Sequence, residues 1–311
     1  MANSIYRASI LQSYSQLLFQ PCLSNKHCVP KKTNLLCFAS SQLNPARSEV
    51  SFCIGTHLII PHPNKVERGG EDAFFVSNFK GGVIAVADGV SGWAEQNVDP
   101  SLFSKELMAN ASSLVGNLEV NYDPQILIRK AHAATCSKGS ATAIVAMLER
   151  NGTMKVASVG DCGLRVIRKG QIIFSTTPQE HYFDCPYQLS SELVGQTYLD
   201  AVVSSVELVE GDTIVMGSDG LFDNVFDGEI VSTLAAHSDV VEAAKALAKL
   251  ASNHSLDSRF DSPYTIEARS KGLDVPFWKK ILGMKLTGGK LDDITVIVGQ
   301  VVSSAASPQP T

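Results

Sequence analysis

The stretch GVIAVADGVSGW, Gly82–Trp93, decides how the rest of the chain is read. Val83–Ala87 is a short unbroken apolar run bounded by turn-forming residues, which predicts a strand buried in a sheet. It ends on a carboxylate, Asp88, followed at once by Gly89. The same conjunction recurs far away in the chain. TIVMG (213–217) runs into Asp219, with Asp223 close behind, and Asp292-Asp293 opens into ITVIV (294–298). A fourth acidic pair, Glu71-Asp72, stands in GGEDAFF (69–75). Carboxylates gathered at strand ends, without a matching set of Lys and Arg in the same motifs, repel one another unless cations join them. The pattern therefore points to a site for hard divalent metals. Glycine after Asp88 and after Asp219 lets the backbone come close to a ligand, so a glycine carbonyl would also serve.

Outward from these motifs, strands are expected at 52–60, 73–77, 82–87, 141–148, 154–159, 163–168, 202–208, 213–216 and 294–302. Helical periodicity covers 101–116, 124–137 and 239–251, with Pro124 suited to a first helical position. Strands cluster and helices come between them in pairs, without strict βαβ alternation. That favours an α+β layered sandwich over a doubly wound parallel sheet. Residues 253–290 are polar and punctuated by glycine, and they sit immediately before the last acidic motif. They read as a connector, a flap over the site or a docking insertion.

Residues 1–48 contain no Asp or Glu, five basic residues and eight serines. Such a leader has the composition of an organelle transit peptide, and abundant Ser with few Arg favours the chloroplast. The domain proper then spans 49–302, and 303–311 is expected to be a disordered tail. Without the leader the net charge moves from −5 to −10, which argues against nucleic acid or an anionic membrane as partner. No apolar run reaches the roughly 20 residues of a membrane helix. The seven cysteines show no CxxC pair, which favours free thiols. Cys136, Cys162 and Cys185 read as small buried apolar residues.

In order and approximate spacing, ED (71–72), VADGVSGW (86–93), GSATAIVA (139–146), VASVGDCGLRV (156–166), GSDGLFDNV (217–225) and DDITVIV (292–298) resemble the metal-dependent (type 2C) protein serine/threonine phosphatases. QEHYFDCPYQL (179–189), SPYTIEAR (262–269) and GGKLDD (288–293) resemble the compact organellar branch of that family. The resemblance implies a four-layer α-β-β-α sandwich with two central, mostly antiparallel sheets. It implies hydrolysis of phosphothreonine and phosphoserine by a metal-activated hydroxide, with two Mg²⁺ or Mn²⁺ ions and room for a third. Asp88 would bridge the two metals, with the carbonyl of Gly89 beside it. Asp219 and Asp292 would complete the second metal, while Glu71 and its partner Asp72 would act through water. Asp161, Asp219 and Asp223 match a third site, and Asp293 stands where many members have Asn. The family's phosphate-gripping Arg falls at Glu67 here, which leaves Arg68 as the better substitute and Lys65 as the other. Many members carry a His two places after the bridging Asp. Here that position is Val90, so the acid must be a metal-bound water or another side chain such as His181. The resemblance extends to a chloroplast enzyme, a monomer acting on photosystem II core proteins at the thylakoid. The alternative is an inactive homologue that binds phosphoproteins.

Overall fold

In the computed structural model, which describes residues 49–303 apart from 68, 193–194 and 282, the opening segment forms an interior strand, Gly82–Gly89. Expectations for the 1–48 leader, for Arg68 and for 304–311 lie outside the described residues. The chain runs β1 (Val50–Ile59), α1 (Pro63–Val66), β2 (Asp72–Ser77), β3 (Gly82–Gly89), α2 (Pro100–Leu114), α3 (Pro124–Ala134), β4 (Ser140–Leu148), β5 (Thr153–Val159), β6 (Gly163–Arg168) and β7 (Gln171–Ser175). It continues through the short β8 (Glu180–Tyr182), β9 (Cys185–Pro186) and β10 (Leu189–Ser190) to β11 (Val202–Glu207) and β12 (Thr213–Gly217). After these come α4 (Asp219–Phe222), α5 (Asp227–Ala236), α6 (Val240–Leu256), α7 (Pro263–Ser270), α8 (Phe277–Ile281) and β13 (Ile294–Ser303).

One sheet has the order β1-β13-β12-β6-β7, and the other β11-β5-β4-β3-β2 with β10 added to β4. Neighbouring strands within them pair antiparallel. Alternation along β3 explains the unbroken apolar run. Val83, Ala85 and Ala87 pack with Phe103 and Leu107 of α2 and Leu127 of α3, while Ile84 and Val86 face the other sheet. On β12 and β13, Met216 and Ile297 face inward between the sheets, and Val215, Val296 and Val298 pack under Ala244 and Leu247 of α6. Both sheets are thus covered on two sides, which removes the polar half of the usual strand alternation. The result is the expected four-layer order, helices–sheet–sheet–helices.

The helices start where short acids can cap them. Asp99, Asp123 and Asp239 accept backbone N–H bonds at the N-termini of α2, α3 and α6, with Pro at the first position of α2 and α3. Helix α3 stops at Ala134, short of the expected 137, because the Cys136 and Ser137 N–H groups donate to the Glu106 carboxylate at 3.1 and 2.7 Å. Helix α6 runs past 251 to Leu256, held by His254, whose ring bonds the Asn224 carbonyl and stacks on Phe260 at 3.8 Å. Of the three cysteines read as buried, only Cys162 is; Cys136 is exposed and Cys185 is half-buried in the short β9.

Helix α6 crosses β1 at Gly55, where a Cβ would lie 2.3 Å from the Val240 carbonyl. Backbone cannot give way as a side chain can, so Gly55→Ala should cost about 3 kcal/mol. In thermal unfolding that is a loss of roughly 6–12 °C; an unchanged melting temperature would show that α6 does not rest on β1 as described.

Candidate active site

The register of β2 on β3 sets Asp72 directly opposite Asp88, so both carboxylates leave the same face at one end of the sheet. That face is the one looking at the second sheet. There Ser218 and Thr295 each donate a hydroxyl hydrogen bond to Asp72 Oδ2, both at 2.7 Å. The Glu71 N–H donates to Asp293 Oδ2 at 2.5 Å. The two sheets are therefore stitched together by the acidic motifs themselves. Glycine makes the approach possible: a Cβ on Gly220 would stand 2.1 Å from the Asp293 carbonyl oxygen, and one on Gly89 2.5 Å from that of Pro100.

Asp219 begins α4 at the end of β12 and is only 7% exposed. Asp223 closes the same short helix, and Asp161 lies in the turn between β5 and β6. The structure thus brings Glu71, Asp72, Asp88, Asp161, Asp219, Asp223, Asp292 and Asp293 to one end of the sandwich from five separate stretches of chain. Asp88 is their hub. Burial first, and then the charges of Asp72, Asp219, Asp292 and Asp161, push its carboxyl well above the ordinary range. Burial and the charge of Asp293 raise Asp72 to about 8, while burial raises Asp223 to about 7. Asp161, Asp292 and Asp293 are raised as well, each chiefly by burial. Asp219 goes the other way: burial works against its charge, but the Lys290 ammonium overrides it.

Two lysines, unassigned or ranked second from sequence, supply the positive charge that the motifs were read as lacking. Lys65 on α1 places its ammonium 2.6 Å from Asp292 Oδ1 and 2.7 Å from Glu71 Oε2. Lys290 reaches Asp219, Asp184 and Asp223 at 2.7, 2.9 and 3.0 Å. Burial opposes both charges, yet the carboxylates around them hold both ammoniums well above the ordinary lysine value. The only sequence signal for Lys290 was its place in GGKLDD; its partners lie 67–106 residues away along the chain, so spacing could not reveal it. His181 is exposed on β8, its ring 4.5 Å from that of Tyr187 and its Nε2 beside Gln196, in a depression with Trp93, Ser140 and Gln188. Val90 is half-buried, with its N–H donated to the Ser140 carbonyl at 3.1 Å.

Among the described residues no three Asp, Glu, His or Cys side chains are gathered tightly enough to enclose one ion as they stand. Within the described residues, four buried carboxylate oxygens nevertheless have no hydrogen-bond partner: Oδ1 of Asp72, Asp161, Asp219 and Asp293. A buried anion left unpaired is costly, and hydrated Mg²⁺ needs only one or two protein carboxylates at a time. The residues present therefore fit divalent cations that retain much of their water.

Comparison with models of protein families gives no match. Individual proteins are much closer. "Probable protein phosphatase 2C 26" of Arabidopsis thaliana is 66% identical over 285 residues, covering 91% of this chain and 95% of its own length. "Probable protein phosphatase 2C 1" of Oryza sativa subsp. japonica is 67% identical over 261 residues, covering 84% and 78%. The chain belongs to the protein phosphatase 2C family and is a protein serine/threonine phosphatase. Among solved structures, that of the photosystem II phosphatase PBCP is 67% identical, with a TM-score of 0.79 over 82% of this chain and 100% of that one. The catalytic domain of the phosphatase PstP, solved with two manganese ions, shares the fold at 18% identity and a TM-score of 0.53.

The raised carboxyl values carry a sign that can be measured. A carboxyl with a folded value above its unfolded one, near 4, keeps a proton that the unfolded chain releases. Its contribution is full below that unfolded value and is lost as pH rises through the folded values, about 7 for Asp223 and about 8 for Asp72. Both lysines stay charged through this window and add no slope. Metal-free protein should therefore melt at a lower temperature at pH 8 than at pH 5.5. Added Mg²⁺ should raise the melting temperature more at pH 8, where fewer protons compete for the carboxylates. A metal-free melting temperature that is flat or rising across this range would contradict the assignment.

Proposed function

We propose that this phosphatase removes phosphate from phosphothreonine and phosphoserine using two divalent cations, Mg²⁺ or Mn²⁺, and that its substrates are photosystem II core proteins in the chloroplast. The observation that carries the chemistry is the ring of buried carboxylates around Asp88, with partnerless oxygens on Asp72, Asp161, Asp219 and Asp293. Asp88 would serve both cations, with the Gly89 carbonyl beside it and Asp219 and Asp292 on the second. Glu71, and Asp72 behind it, would hold them through water. Bound there, such cations would acidify a water and offset the charge of the phosphoryl oxygens.

The chain's own residues do the rest. Asp72 is locked by Ser218 and Thr295, so it fixes the distance between the two sheets and with it the placing of Asp88. Lys65 offers an ammonium at the mouth of the cluster, where an anionic phosphoryl group would arrive; its side chain is 14% exposed. Asp88, Asp219 and Asp292 are all retained and brought together, which argues against an inactive binding module. Residues 253–290 would cover one side of the site: Tyr264 and Glu267 of α7 line the cleft together with Asp161, Asp219 and Asp223. The substrate and compartment rest on 67% identity to a photosystem II phosphatase, and on the acid-free, serine-rich leader.

Hydrolysis of a phosphothreonine peptide should require Mg²⁺ or Mn²⁺, stop with EDTA, and fall about 10²-fold or more in Asp88→Asn. Activity that survives Asp88→Asn would remove Asp88 from the bridge. Lys65→Ala should raise KM about tenfold, equivalent to ~1.4 kcal/mol, with a smaller change in kcat. Added to isolated thylakoids, the enzyme should lower phosphothreonine signal on photosystem II core proteins ahead of other phosphoproteins. An unchanged signal would remove that substrate and leave the phosphatase activity standing.

A further inference from the structure

We infer that the ammonium of Lys290 is a built-in cation that takes the place of a third metal ion in this phosphatase. The inference rests on the metal-dependent reading proposed above. It starts from the half of the acidic site formed by Asp161, Asp184, Asp219 and Asp223. These four carboxylates line one cleft with Tyr264, and Lys290 is the lysine that lines it with them.

The geometry of the ammonium is saturated. An ammonium has three N–H donors, and Lys290 Nζ has three carboxylate partners, Asp219 at 2.7 Å, Asp184 at 2.9 Å and Asp223 at 3.0 Å. The Tyr264 ring closes the remaining side, with its centroid 5.2 Å away. Its hydroxyl donates to the other oxygen of Asp184 at 3.2 Å, which orients that carboxylate toward the lysine.

Lys290 is also fixed at its root. Its N–H donates to Asn224 Oδ1 at 2.9 Å, and its carbonyl accepts from Asn224 Nδ2 at 2.8 Å. Asn224 is itself fully buried and bonds the Gly220 carbonyl at 2.9 Å, so the lysine hangs from the helix that carries Asp219 and precedes Asp223. The preceding Gly289 is pressed against α6: a Cβ there would meet the His254 carbonyl at 2.2 Å. Lys65 differs: it rides on a single four-residue turn and has two carboxylate partners.

A divalent ion shared by these carboxylates would need their oxygens at about 2.0–2.1 Å. It would then stand within a few ångströms of the ammonium, and two cations that close repel one another strongly even where the surroundings screen them. The lysine and a third ion are therefore alternatives. The lysine has a second effect: it engages Oδ2 of Asp219, and Oδ1 of the same carboxylate is left buried and partnerless. Lys290 thereby turns Asp219 so that one oxygen is reserved for the neighbouring metal position.

The test is a count of Mn²⁺ bound per full-length chain, by equilibrium dialysis with elemental analysis and by electron paramagnetic resonance of free Mn²⁺. Wild type should bind two ions. Lys290→Met, which keeps the aliphatic length without the charge, and the smaller Lys290→Ala should each bind a third. Its affinity should be at least about tenfold above any third-ion binding by wild type. Lys290→Arg should still bind two, and Asp223→Asn added to Lys290→Met should abolish the gain. Three ions on wild type, or two on a folded Lys290→Met, would overturn the inference. Fewer than two on wild type would instead sink the metal-dependent reading beneath it, which keeps the two failures distinct.

Discussion

Carboxylates that are buried together repel one another, and that repulsion is the constraint on which the rest of this structure depends. At an effective dielectric of about 20, two unit charges about 4 Å apart cost roughly 4 kcal/mol. Eight acidic side chains meet at one end of the sandwich, so the fold has to answer this cost several times over. It does so by hydrogen bonds from Ser218, Thr295 and the Glu71 backbone, by two lysine ammoniums, and by protons retained above their ordinary range. What remains, among the described residues, is four buried carboxylate oxygens without a hydrogen-bond partner. These oxygens are where the divalent cations of the proposed function would sit.

The two-sheet architecture makes such a gathering possible. Each sheet contributes one inward face, and at the same end both faces change from apolar to polar: Val86 gives way to Asp88 on β3, and Ile297 to Thr295 on β13 and the Asp293 carbonyl just before it. Strand register is therefore chemistry here. A slip of β3 by one residue would turn Asp88 toward the α2–α3 layer and bring Ala87 into the site. The antiparallel pairing of β3 with both β2 and β4, eight residues long on the β4 side, holds against that slip.

Residues 253–290 are tied to the site by hydrogen bonds. Helix α7 is tied back through the Tyr264 N–H to the Asp223 carbonyl at 3.1 Å, and Arg269 bridges Asp261 and the Leu286 carbonyl. The segment thereby delivers Lys290 and Asp292 from a fixed frame, one ammonium and one carboxylate from neighbouring positions of the same strand approach. Charge of both signs at the site is supplied by one short piece of chain.

Much of this was legible in the residues. The apolar runs at 83–87, 213–217 and 294–298 are continuous because both faces of each strand are covered, and that composition survives in a bare sequence. Asp88, Asp219 and Asp292 stand at the ends of those runs, so their convergence followed once the strands shared a layer. The helix starts at 100, 124 and 240 were marked by Asp caps and by two prolines. Other features left no local mark. The stop of α3 depends on Glu106, roughly thirty residues earlier; the extension of α6 depends on Asn224 and Phe260. Lys290 is paired only because Asn224, Asp184 and Tyr264 are carried to it by separate elements. The sequence by itself determined which carboxylates would meet, because hydrophobic periodicity and strand ends are encoded residue by residue. Only the tertiary structure decided which cations meet them, because an ammonium on a long side chain finds its partners through space, and that distance is written nowhere along the chain.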